Sequence, residues 1–128
     1  HSAHYYFRDF WRADTGMLAA MHVLAALGEQ GRPLSELTAG YSRYAASGEV
    51  NSTVADAADR TRAVREAFEQ QEGVTVDDFD GLTVDLPDGS WFNLRASNTE
   101  PLLRLNVEAP DAARMTELRD RVLEMVRA

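Results

Sequence analysis

A chain of 128 residues provides for one ordinary domain, or for a smaller domain carrying part of a neighbour. At 45% hydrophobic and 27% charged residues it is globular rather than disordered, and its lack of cysteine excludes disulfides, thiolate nucleophiles and Cys-ligated zinc. The net charge of −8 argues against nucleic-acid partners, which require a clustered basic stripe, and no apolar run approaches the roughly 20 residues of a membrane-spanning helix. All 13 basic residues are arginine, a bias that fits a GC-rich genome and leaves any anion site to guanidinium forks and backbone amides. The first residue is His1 rather than Met and no signal segment follows, so the chain reads as a fragment of a longer protein, and the absence of cysteine fits a cytoplasmic one.

Residues 1–12 are aromatic-rich and irregular. A helix is expected from Asp14 to Gln30, because Met17, Leu18, Met21, Leu24 and Ala25 recur at helical spacing. Asp14 or Thr15 can cap it, and Gly31 punctuates its end. A short helix after Pro33 carries Leu34, Leu37 and Tyr41. The Ser47-Gly48 region resembles a hinge, and a domain boundary is placed within 43–48, dividing the chain into 1–44 and 45–128. Glu49 to Thr53 reads as a short strand. Val54, Ala57, Ala58, Thr61, Val64 and Phe68 then follow helical spacing, closed by Gly73. Val74 to Val76 and Leu82 to Leu86 read as strands, with clean alternation in the second. Turn chemistry at Pro87-Asp88-Gly89-Ser90 leads into strands Trp91 to Ala96 and Leu102 to Ala109. A last helix opens at Pro110-Asp111, with Met115, Leu118, Val122 and Met125 or Val126 facing a core.

Strand parity carries a consequence for the loop at 95–101. Phe92, Leu94 and Ala96 share one face, as do Leu103, Leu105 and Val107. Pairing these apolar faces sets Arg95 and Arg104 together on the opposite, open face. Adjacent guanidiniums destabilise a sheet unless an anion lies between them. Glu100, Glu108 or a bound phosphate would serve.

The loop itself, Arg95-Ala96-Ser97-Asn98-Thr99-Glu100-Pro101, concentrates phosphate-recognising groups. Ser97 and Thr99 supply hydroxyls, Asn98 an amide and Arg95 a bidentate fork, and a tight turn aims backbone N–H groups inward. A polar hairpin turn capped by Ser and Asn has the same composition. Elsewhere, Ser2, His4 and Asp9 have the residue types of a hydrolytic triad but no spacing that fixes its geometry. His22 reads as a structural histidine beside an apolar stripe. Asp77-Asp78-Phe79-Asp80 lacks calcium-loop spacing and reads as a solvated turn, and Asn51-Ser52-Thr53 is a glycosylation sequon by pattern only. No metal site is read in the chain.

Arg-x-Ser-Asn-Thr-Glu-Pro followed by Leu-Leu-Arg-Leu-Asn-Val-Glu resembles the phosphate-binding loop in the fourth domain of the α-D-phosphohexomutases. The opening Ser-Ala-His-Tyr-Tyr-Phe-Arg-Asp-Phe resembles the sugar-recognition segment of their third domain, and within the family is most similar to bacterial phosphomannomutases. Phosphoglucosamine mutases more often carry Gly in place of Asn98. The resemblance implies an α+β fold: a small antiparallel sheet with two packed helices, similar to the TATA-binding-protein-like fold, preceded by helices ending the third domain. It implies that Arg95, Ser97, Asn98, Thr99 and Arg104 bind the substrate's phosphate, that Ser2 binds sugar hydroxyls and that His4 lies near the reacting centre with a proton-transfer role.

The reaction implied moves phosphate between O1 and O6 of a hexose, most readily mannose, through a phosphoserine, a hexose 1,6-bisphosphate and Mg²⁺. Glucose and glucosamine are the rival sugars; a stand-alone phosphosugar-binding module is the non-enzymatic alternative. Neither the family's phosphoserine loop nor its Asp-rich metal loop occurs in this sequence. Those parts are expected in other domains of the parent, and the isolated chain is expected to be inactive.

Overall fold

The computed structural model describes residues 4–128. The chain forms two compact units, the first ending at Ser42 and the second running Arg43–Ala128.

In the first unit, Tyr6 bridges Asp14 and the Thr15 amide donates to the Tyr5 carbonyl at 3.0 Å. The turn that brings them together passes through Trp11 and Arg12 at φ 52° and 53°, a left-handed conformation sparsely used by residues with a Cβ. Helix α1 then runs Gly16–Gln30. It begins later than the periodicity predicts because Thr15, not Asp14, is the cap: its hydroxyl accepts from the Leu18 amide at 3.3 Å. Gly31 takes φ 59° and returns its N–H to Leu27, closing the helix. The apolar residues of its stripe are open here, with Met17 78%, Met21 60% and Leu24 65% exposed. Helix α2, Leu34–Ala39, follows Pro33.

The second unit is an antiparallel sheet with two helices packed on one face, as the resemblance implies. Its strands are β1 (Ala45–Ala46), β2 (Val50–Thr53), β3 (Thr75–Asp77), β4 (Leu82–Asp85), β5 (Trp91–Ala96) and β6 (Leu102–Ala109). The order is β1-β6-β5-β4-β3, with β2 also pairing β6. Helices α3 (Ala57–Glu69) and α4 (Ala112–Arg127) cover the core face through Val64, Phe68, Leu118, Val122, Leu123 and Val126. These meet Leu82, Val84, Phe92, Leu94, Leu103, Leu105 and Val107, and Phe68 packs edge-on against Phe92 at 5.0 Å.

Three local expectations are corrected. Helix α3 starts at Ala57, not Val54, because the Asp56 carboxylate accepts from the Asp59 amide and the Val54 amide is committed to the Pro101 carbonyl. It ends at Gln70 in right-handed conformation, so Gly73, at φ 77°, lies in the turn beyond rather than capping it. At the Ser47-Gly48 region read as a hinge, the chain is stitched to β6: Ala45 just before it pairs Ala109, the Ser47 amide donates to the Val107 carbonyl, and the Val107 amide donates back to Ser47 Oγ, both at 2.9 Å.

Candidate functional site

The hairpin of β5 and β6 builds the site. Leu94 pairs Leu105 and Ala96 pairs Leu103 on the core face, so Arg95 pairs Arg104 on the open face, with Asn51 of β2 extending the row beyond Arg104. Parity therefore places both arginines as the alternation predicts. The Ser97 amide donates to the Leu102 carbonyl at 2.8 Å and closes the hairpin. That amide is spent on the turn, so the inward-pointing nest expected of the loop is incomplete. The loop also presents side-chain chemistry, with the Ser97 and Thr99 hydroxyls 3.5 Å apart.

Arg95, Ser97, Asn98, Thr99 and Arg104 all line a single pocket of about 460 Å³, completed by Asp80, Gly81 and Ala96. Arg104 is one of its lining residues, and its Nε is buried with no hydrogen-bond partner among the described residues. A buried guanidinium N–H left unpaired costs stability, so the position gains from any oxyanion that reaches it. The pocket's two cations face one carboxylate, leaving it a net positive charge inside an acidic chain.

The carboxylate that meets Arg95 is Asp80, from the turn before β4. Arg95 Nη1 donates to both oxygens of Asp80, at 3.1 and 3.4 Å. Asn93 fixes this arrangement, its Nδ2 donating to the Asp80 carbonyl at 2.9 Å and to Thr83 Oγ1 at 3.0 Å. Gly81 permits it: a Cβ there would sit 2.8 Å from the Leu94 carbonyl oxygen and 3.0 Å from Arg95 Cβ. Asp80 and Asn93 were missed in the sequence. Counting outward from the Pro87–Ser90 turn sets Gly81 beside Arg95, and that register was the signal available.

In the first unit, the structure joins His4 to Asp14 rather than to Asp9. His4 Nδ1 and an Asp14 oxygen are hydrogen-bonded, and the Tyr5 amide donates to the other oxygen at 3.0 Å. A proton on Nδ1 turned to the carboxylate leaves Nε2 as the basic nitrogen. Ser2 lies outside the described residues. His22 stacks on Phe7 with ring centroids 5.3 Å apart but is exposed, so the partly buried position expected of it is not found. No group of three or more His, Asp or Glu among the described residues can hold a metal ion, so the residues present do not fit Mg²⁺ and no step here runs through it. Among the described residues no helix is long and apolar enough to cross a membrane.

An antiparallel sheet backed by two helices, opening an arginine-lined pocket at a hairpin tip, defines an α+β module suited to receiving an oxyanion. The chain belongs to the phosphoglucomutase/phosphomannomutase family: residues 49–125 match its C-terminal domain and residues 1–44 its alpha/beta/alpha domain III. It is 36% identical over 125 residues to a phosphomannomutase of Methanocaldococcus jannaschii, covering 98% of this chain and 27% of that protein. It is 37% identical over 119 residues to a probable phosphoglucosamine mutase of Methanopyrus kandleri, covering 93% and 26%. A crystal structure of a phosphoglucomutase/phosphomannomutase family protein from Burkholderia thailandensis aligns with TM-score 0.67 at 27% identity, covering 97% of this chain and 27% of that one. The chain thus spans about a quarter of the length of these relatives.

Proposed function

We propose that the chain is the phosphate-gripping end of a hexose-phosphate mutase, acting on mannose 6-phosphate and mannose 1-phosphate. The observation that carries this reading is the convergence of Arg95, Ser97, Asn98, Thr99 and Arg104 on one pocket of net positive charge. The grip holds the phosphate that is not being transferred, so that binding energy far from the reacting oxygen is spent on orienting it. His4, set by Asp14 with Nε2 as its basic nitrogen, takes or returns the proton of the reacting hydroxyl, and Ser2 contacts sugar hydroxyls. The donor phosphoserine and the Mg²⁺ ligands belong to the parent's other domains, in the cytoplasm; the hexose 1,6-bisphosphate intermediate is gripped here by either of its phosphates in turn, and the chain alone does not turn over.

Mannose is favoured by Asn98 within Ser-Asn-Thr and by the phosphomannomutase relative. The near-equal identities of the two relatives leave glucose and glucosamine phosphates as the competing substrates.

The test is a titration of the chain with inorganic phosphate and with mannose 1-phosphate, followed by amide chemical shifts. Both ligands are expected to move residues 95–99 and 104, and mannose alone is expected to move none of them. Arg95→Ala should weaken phosphate binding by about tenfold to thirtyfold, at the lower end for a charged hydrogen bond because its side chain is 45% exposed. Unchanged affinity in that variant overturns the assignment.

A further inference from the structure

We infer that Asp80 is a built-in competitor for the phosphate, a carboxylate that occupies Arg95 in the empty pocket and limits how tightly the pocket holds its ligand. This rests on the reading of the pocket as a phosphate site and adds to it the residue that sets its affinity.

The placement of Asp80 is constructed. Its loop carries three aspartates, and the other two are turned to different tasks. The Asp77 carboxylate accepts from the Phe79 amide at 2.7 Å, and Asp78 accepts from Arg65 Nη1 and Nη2 at 2.8 and 2.6 Å. Asp80 alone of the three lines the pocket. Its carbonyl is tied to Asn93, and Gly81, at φ 76°, lets the chain pass against Arg95 where a side chain would collide. The carboxylate then reaches Arg95 through one nitrogen, Nη1, with both oxygens within 3.4 Å.

A phosphate dianion entering this pocket meets Arg95 and Arg104 but also this fixed negative charge. Nη1 cannot serve both anions at full strength, and two anions in one small pocket repel. The carboxylate has two consequences. It neutralises part of the Arg95–Arg104 repulsion when no ligand is present, and it weakens the ligand's hold when one is. A mutase whose bisphosphate must release, turn around and rebind gains from the second, because a grip that is too tight slows the reorientation.

Asp80→Asn keeps the size and the backbone of the loop and removes the charge. Titrated with inorganic phosphate and with mannose 1-phosphate, the variant chain should bind both about threefold to tenfold more tightly than the wild type. Asp80→Glu should stay near the wild-type value. In an Arg95→Ala background the Asp80→Asn gain should differ from that in the wild-type background, since the contested guanidinium is gone and only the repulsion between the two anions is left to relieve. A thermal melt of each variant separates affinity from folding. Equal or weaker binding by folded Asp80→Asn, with Arg95→Ala still impaired, overturns the competition and leaves the phosphate site standing. Wild-type binding by Arg95→Ala removes the site itself.

Discussion

Asp14 carries two donors, and together they explain its acidity. The hydrogen bond from His4 first, and the Tyr5 amide second, hold its carboxyl below the ordinary 3.8. A carboxylate lowered in the folded state stabilises the fold above its unfolded value and loses that contribution as pH falls through the lower, folded value. The window is therefore acidic, below about 3.8, and the pair is intact at neutral pH. His4→Ala should move the Asp14 titration up toward 3.8, read from its carboxyl carbon shift. An unmoved midpoint would assign the effect to the Tyr5 amide instead. This pair was half legible in the sequence. His4 stands out by its motif, but Asp14 reads as a helix cap because a helix begins just after it. Thr15 fills that role and frees Asp14 for the imidazole. Asp80 was hidden more deeply, in an acidic run with the look of a solvated turn, since its contact lies 15 residues away on another strand.

The β5–β6 hairpin was legible because a period of two leaves no freedom: once Leu94 and Leu105 face the core, Arg95 and Arg104 must face away. Strand β1 was not legible. Two alanines have no period, and the partner that makes them a strand is Ala109 and Glu108, far along the chain. The start of α3 misled for a related reason, since Val54 continues the apolar spacing while Asp56 decides where the backbone turns helical. The hairpin's position depends on its core side. Phe92 is fully buried and touches Phe68 across the layer. Phe92→Ala should destabilise the second unit by about 3–5 kcal/mol, measured by urea unfolding. A loss below 1 kcal/mol on that scale would mean the cavity collapses and the two helices do not bear on β5 as described.

Across the whole molecule the two units are built unequally. The second has a core of thirteen buried side chains from both helices and three strands, whereas α1 buries none of its residues. Local opening follows such differences, since backbone protected only by exposed hydrogen bonds opens at low cost. Hydrogen exchange should therefore be slower in β5, β6 and α4 than in α1 and α2, by about tenfold or more. Equal protection in both units would show that α1 is held by more than its own ladder. Within the second unit, β6 is the strand on which the others depend. It pairs β5 along one edge and both β1 and β2 along the other. A ribosome releases β1 and β2 long before it releases their partner, and α4, which seals the core, comes last. The early strands must wait unpaired while nearly fifty residues are added. The sheet then closes in one late event rather than growing as the chain emerges. Nascent chains halted before Leu102 should accordingly have no closed sheet, and the phosphate pocket does not exist until β6 has paired.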